Sequence, residues 1–239
     1  SLVLPEELRH DVLVLNESLP DDDGLVKIVS TVAAENEVPV PAKTLVAAVD
    51  ALRGLAEFPA EQATAMCLTK KGLDVDALWD RKVQMVNDTP GLTVWRGGQR
   101  FDDLGGLDAI KERFRRILAG RRPPRCVVWV DEIEKAMGGS DGGGTSGTSM
   151  DQLGVLLGEM QDKEWDGAIL VGAMGAAKSA FAKAIGNEAE VLTIKLDLGA
   201  LKGQFVGQSE ERVRTAMKII EAVAGVGGAF FVATGNDIS

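Results

Sequence analysis

From residue 101 onward, short continuous apolar runs alternate with amphipathic stretches, and this alternation restricts the fold more tightly than any other feature of the chain. "CVVWV", "AILVG", "VLTIKL" and "GAFFVAT" have the length of strands buried on both faces. "LDAIKERFRRIL", "MDQLGVLLGEMQ", "KSAFAKAIGNEA" and "SEERVRTAMKIIEAVAG" precede or separate them with apolar residues at helical spacing. Strands that are apolar throughout must be covered on both sides, and the alternating helices supply the cover. The expected fold class is therefore α/β, a parallel sheet flanked by helices. "GGSDGGGTSGTS", residues 138–149, reads by composition as a flexible loop.

The first 95 residues have a different texture. They are rich in helix formers, with breaks at "LPDDDG" and "VPVPAK". "PAKTLVAAVDALRGL" places Leu45, Val49 and Leu52 on one helical face. "PAEQATAMCLTKKG" does the same with Ala63, Met66 and Cys67 before Gly72 ends the helix. A small helical domain is expected over residues 1–95, closed by "NDTPGLTVWRGGQR" as a linker or hairpin, with the sheet domain over 96–239.

Composition narrows the function classes. The 239 residues are 45% hydrophobic and 26% charged, as in ordinary globular chains. A net charge of −10 disfavours binding to a nucleic-acid backbone, so protein partners and small ligands are expected. Two distant cysteines, Cys67 and Cys126, make neither a disulfide framework nor a zinc site. No apolar run is long enough to span a membrane and no leader pattern opens the chain, which predicts no membrane partner and a cytoplasmic location. Starting at Ser1 without methionine and stopping just after a strand-like run, the sequence reads as a piece of a longer chain.

"VGAMGAAKSAF", residues 171–181, nearly satisfies the phosphate-binding pattern G-x-x-x-x-G-K-[ST]. Gly172, Lys178 and Ser179 fit it, whereas Ala177 stands where the last glycine belongs. Backbone amides at a helix start attract phosphate, the lysine reaches the outer phosphates and the hydroxyl serves Mg2+. The alternative is an ordinary strand-to-helix turn with a chance Lys-Ser. "CVVWVDEIEKA" ends a buried strand in Asp131 and Glu132, where open α/β sheets bind ligands. There Asp131 would hold the metal and Glu132 would polarise a water as general base; a helix cap with an acidic first turn is the rival reading. "AFFVATGND" brings Thr234 and Asn236 to the same sheet edge, with Asn236 either orienting that water or lying in a turn. Phe205, between Gly203 and Gly207, is either an exposed gripping aromatic or a core anchor.

Together, "FDDLGGLDAIKE", "VGAMGAAKSAFAKAIGNEA", "LKGQFVGQSEERVR", "VVWVDEIEKA" and "FFVATGND" resemble the AAA+ ATPase core over residues 101–237. The resemblance implies ATP and Mg2+ as cofactors. It places phosphates against Gly172, Gly175, Ala176, Ala177, Lys178, Ser179 and Ala180, the metal at Ser179 and Asp131, and catalysis on Glu132, Lys178 and Asn236. It also puts Leu104 and Gly105 near the adenine and makes Phe205 the pore-loop aromatic that grips a polypeptide. The order departs from the family: Walker B, at Asp131 and Glu132, precedes Walker A. Parallel β-α units all start and finish at the same sheet edges, so they exchange chain order without losing their places. The Walker B strand is accordingly expected beside the sensor 1 strand, with the Walker A strand on its other side. "LPEELRHDVLVLNESLPDDDGLVKIV" is similar to the entry into the helical lid of a preceding, degenerate module. The family's arginine finger and sensor 2 fall beyond Ser239, and Arg9 belongs to the other module.

The implied function is a protein-remodelling ATPase working as a homo-oligomeric, hexameric ring on a protein substrate. The alternative is a nucleotide-binding assembly scaffold with little or no turnover, and a vestigial loop in an interaction domain is a third reading.

Overall fold

The computed structural model describes residues 19–134, 146–173, 175–202 and 208–236. The apolar runs form strands β4 (Cys126–Val130), β5 (Gly167–Gly172), β6 (Leu192–Leu196) and β7 (Ala229–Asn236). With β3 (Leu92–Trp95) they make one five-stranded sheet of order β3-β6-β4-β7-β5. β4 pairs in parallel with both β6 and β7, and β5 pairs in parallel with β7. Thus the strand ending at Asp131 lies beside the strand ending at Asn236, and the strand leading to Lys178 lies on its other side, as the resemblance implied.

Among the described residues four long helices accompany these strands: α5 (Asp108–Leu118), α6 (Ser146–Asp162), α7 (Lys178–Glu188) and α8 (Gln208–Ala224). α6 begins inside the Gly/Ser-rich run expected to be loop; residues 138–145 of that run lie outside the described residues. Alternate residues of the strands feed two cores. Val128, Ile194 and Phe231 meet Leu156 of α6 and Met217 of α8 on one face. Val127, Trp129 and Val232 meet Phe114 of α5 and Ile185 of α7 on the other. The connections β4-α6-β5 and β6-α8-β7 run toward the β5 edge over the first face. The return β5-α7-β6 crosses the second face, so all three crossovers share one hand. A parallel sheet demands that regularity.

Cover is incomplete at one edge. Ile169 and Val171 of β5 are 64% and 65% exposed, so the expectation of a sheet buried on both faces fails there. β5 is an edge strand with no further neighbour among the described residues.

The helical half holds α1 (Asp22–Glu35), α2 (Ala42–Leu52), α3 (Glu57–Cys67) and α4 (Val75–Asn87). The Asp21 carboxylate caps α1 by accepting from the Gly24 amide at 2.8 Å, and Asp74 caps α4 from the Ala77 amide at 3.1 Å. Leu25, Val29, Ala48, Leu52 and Ala60 form its core. Ala63 and Cys67 join them, but Met66 is 66% exposed because successive residues of one helix cannot all face one side. Gly72 does not terminate α3, which ends at Cys67. It closes a two-stranded hairpin, β1 (Leu68–Thr69) with β2 (Gly72–Leu73), at a φ of +127° that favours glycine.

α4 belongs to both halves. Its Leu78 is buried in the helical core, while Val86, two turns on, is fully buried in the core of the sheet. The segment read as a linker or hairpin contributes β3, antiparallel to β6 with Val94 opposite Ile194. Trp95 meets Trp129 edge-on at 6.4 Å, and the Lys183 ammonium lies 4.3 Å and 4.7 Å from the two rings. β3 is therefore held by aromatic packing that a glycine-rich local sequence conceals. Arg53 grips Asp22 through two hydrogen bonds and Asp50 through a third, and Arg125, just ahead of β4, lies 3.5 Å from Asp50. No helix among the described residues is long and apolar enough to cross a membrane.

Candidate functional site

Because β4, β5 and β7 are parallel, their carboxyl ends converge at one sheet edge, and a cleft of about 370 Å3 opens there. Asp131, Glu132, Gly175, Ala176, Ala177, Lys178, Ser179, Ala180 and Asn236 all line it, with Glu134, Thr234 and Gly235. Residues separated by about fifty positions of chain thus share one site, in the crevice where open α/β sheets bind ligands.

Its centre is a three-way hydrogen bond. The Asp131 carboxylate Oδ1 accepts from the Thr234 hydroxyl at 2.7 Å and from the Ser179 hydroxyl at 3.0 Å. The Glu132 amide in turn donates to the Thr234 oxygen at 3.3 Å, and the Ile133 amide donates to the Thr234 carbonyl at 2.9 Å. Thr234 therefore latches the Asp131–Glu132 turn to the end of β7. Glu132 sits at a φ of +51°, a conformation uncommon outside glycine and one the latch helps to hold. The Asn236 amide nitrogen donates to Glu134 Oε1 at 2.7 Å, which fixes the orientation of the side chain inside the cleft.

The loop leading into α7 has the left-handed turns and helix start that suit an anion. Gly175 turns it at a φ of +82°, and the first turn of α7 faces the cleft. The Lys178 ammonium folds back over the loop, donating to the Gly172 carbonyl at 2.6 Å and the Ala173 carbonyl at 2.7 Å. Ala177 adopts φ +55°, ψ +17°, the left-handed conformation expected for the position where the pattern has glycine. A Cβ there costs about 1–2 kcal/mol, partly offset by the entropy glycine would add to the unfolded chain. Ala177→Gly is therefore expected to stabilise the fold by about 0.5–1 kcal/mol, read as a higher urea midpoint. An unchanged or lower midpoint would show that the loop does not bear this strain.

The donor set suits a hard divalent cation. Asp131 and the Ser179 hydroxyl present oxygen ligands side by side, and Mg2+ is ordinarily held by one or two carboxylates plus substrate phosphates. No cluster of three or more His, Cys, Asp or Glu suited to a metal occurs among the described residues.

Not every expected residue reaches the cleft. Leu104 and Gly105 do not line it. Leu104 packs against the α5–α7 core, and its carbonyl accepts from the Lys111 ammonium. That segment is tied to α7 through Phe101, stacked on Phe181 at 4.7 Å and donating its amide to the Glu188 carboxylate at 3.3 Å. Phe205 and Arg9 lie outside the described residues. Thr234 was legible as a polar group at the right edge but not as the partner of Asp131. Glu134 carried no signal beyond its place in "DEIE".

Fold and cleft together define an α/β domain of the phosphate-loop kind. Residues 168–231 match the family described as "ATPase family associated with various cellular activities (AAA)", and residues 23–89 match "SpoVK-like AAA ATPase, second domain". Both matched families are AAA ATPases, which supports an AAA ATPase fold for the chain. Among curated relatives it is similar to proteins named "Uncharacterized AAA domain-containing protein ycf46". That of Guillardia theta is 24% identical over 229 residues, which is 93% of this chain and 38% of the relative. That of Trieres chinensis is 23% identical over 225 residues, 92% of this chain and 39% of the relative. That of Gracilaria tenuistipitata var. liui is 28% identical over 140 residues, 59% of this chain and 22% of the relative. The chain thus spans well under half the length of these relatives. The AAA match contains β5, α7, β6 and α8, while β4 with Asp131 and Glu132 lies ahead of it.

Proposed function

We propose that the chain is the nucleotide-hydrolysing core of an Mg-ATP-dependent protein-remodelling ATPase that works as a ring oligomer. The observation that carries this reading is Asp131 Oδ1 joined at once to Ser179 of the phosphate loop and Thr234 of β7, with Glu132 next to it in the same cleft. In this reading residues 96–239 are an AAA core with β4 displaced ahead of β5 in the chain. Residues 1–95 are the lid of an adjoining module, as the match over residues 23–89 supports.

Each residue then has a task. Loop amides and Lys178 bind the phosphates, and Ser179 with Asp131 hold Mg2+, which when bound neutralises charge on the β and γ oxygens. Glu132 accepts a proton from the attacking water, and Asn236, oriented by Glu134, hydrogen-bonds that water or the γ-phosphate. Phe205 would grip the polypeptide in the pore. A neighbouring subunit would supply the arginine, an element worth about 10³–10⁵ in rate in related phosphoryl transfers.

The first test is binding. Mg-ATP is expected to bind the chain, and Lys178→Ala to weaken binding about 100-fold by removing charge-assisted bonds to phosphate. Calorimetric titration checks it, and equal affinities in the two proteins would sink the proposal. The scaffold reading, binding without turnover, draws on one observation: Ala177 places a Cβ in the loop at φ +55°.

A further inference from the structure

Asp131 and Glu132 line a second cavity. β4 lies between β7 and β6, and the nucleotide cleft opens on the β7 side. On the β6 side a cavity of about 280 Å3 is lined by Asp131, Glu132, Gln152, Asp197, Gly199 and Lys202 among others. Gln152 comes from α6 and is 0% exposed, and among the described residues neither its amide nitrogen nor its carbonyl oxygen has a hydrogen-bond partner. Its neighbours Leu153 and Leu156 belong to the apolar core, so packing alone is served better by an apolar residue at 152. A buried amide with both ends unpaired is costly, and such groups in native folds are ordinarily satisfied by a partner or by ordered water. A polar cavity of this size has room for several waters, each with a share of about 30 Å3.

We propose that this cavity holds bound water that hydrogen-bonds the Gln152 amide on one side and the Glu132 carboxylate on the other, making Gln152 a positioning residue for the general base. The inference rests on the role given to Glu132 above. A general base must present its carboxylate in one orientation, and the nucleotide cleft leaves one flank of Glu132 to the reacting water. Glu132 also lines the second cavity, and in this proposal a hydrogen-bonded chain anchored on α6 restrains its carboxylate from that side. Gln152 suits this task because its amide donates and accepts but carries no charge to alter the basicity of Glu132.

Gln152→Met keeps the side-chain length and removes both polar atoms. In the full chain it is expected to leave the unfolding midpoint equal or higher and ATP affinity unchanged. It should lower kcat about 10- to 100-fold with KM unaltered, the signature of a misplaced catalytic group. The second arm is a double-mutant cycle with Glu132→Gln, read by urea unfolding, which needs no turnover. Non-additive midpoint shifts are expected, because both substitutions act on one hydrogen-bonded chain. Additive shifts overturn the proposal whatever happens to kcat. Non-additive shifts with an unchanged kcat in a protein that turns over overturn the positioning role. Failure of the ATPase reading is recognised separately, as absence of any Lys178-dependent hydrolysis, and the cycle alone then decides whether Gln152 and Glu132 are bridged.

Discussion

Glu132→Gln is expected to lower ATP turnover by about 10²–10⁴ while leaving ATP affinity nearly unchanged, the range over which a positioned general base accelerates proton transfer. The substitution is close to isosteric, so it spares the geometry the site depends on. The backbone amide of residue 132 still donates to Thr234, and Asp131 still accepts from Ser179 and Thr234. What disappears is the carboxylate that accepts a proton. On the proposed roles, affinity is carried elsewhere, by the loop amides, Lys178 and the Asp131–Ser179 pair, so binding and hydrolysis should separate cleanly. Single-turnover hydrolysis by the chain with saturating Mg-ATP, alongside calorimetric binding, is the measurement. Equal rates for the two proteins would remove the hydrolytic reading and leave the scaffold. Lost binding would show instead that residue 132 supports the phosphate loop.

Much of this site is legible in the sequence because its parts are local motifs attached to strand ends. An apolar pentapeptide followed by Asp131 and Glu132, and a strand followed by Gly175, Lys178 and Ser179, can meet only where parallel strands finish together. That one rule recovers the neighbourhood of β4, β7 and β5 despite the chain order. Ala177 is legible for the same reason, since the loop demands a left-handed residue there and the structure has one. What escaped is non-local. β3 looks like linker because its stabilising contacts, Val94 on Ile194 and Trp95 on Trp129, come from residues far along the chain. The exposure of Met66 turns on helix phase, which a short apolar triplet leaves ambiguous. Thr234 and Gln152 matter through what they face, and nothing in a helix or strand pattern marks which buried polar residue abuts an acidic turn. Leu104 and Gly105 lie outside the cleft lining, and Leu104 packs with the α5–α7 core.

Where the helical half meets the sheet, stability is expected to rise by about 1 kcal/mol between pH 8 and pH 9, and Lys82 is the cause. Its side chain is 2% exposed, its ammonium donates to the Asp50 carbonyl at 2.7 Å and it lies 4.9 Å from the Trp79 ring. Burial, reinforced by the nearby Arg53 charge and opposed by Cys126 and Asp50, lowers its pKa from the ordinary 10.5 to about 8. Folding a charged Lys82 therefore costs about 3 kcal/mol below pH 8. Between the two values the unfolded chain binds more protons than the folded one, so stability climbs as pH increases and the folded amine goes neutral. Cys126 sets the upper limit. Its thiol is fully buried and pushed up to about 12, whereas an unfolded thiol ionises near 9. Above pH 9 the unfolded state gains by losing that proton, and the two groups then oppose each other. Urea unfolding across pH 7 to 10 should thus trace a rise that flattens near pH 9. Lys82→Met should abolish the rise and leave a decline above pH 9 that Cys126→Ala removes. A wild-type profile flat between pH 8 and 9 would mean the ammonium is solvated, and with it that α4 is not sealed against α2 in solution as tightly as Leu78 and Leu52 indicate.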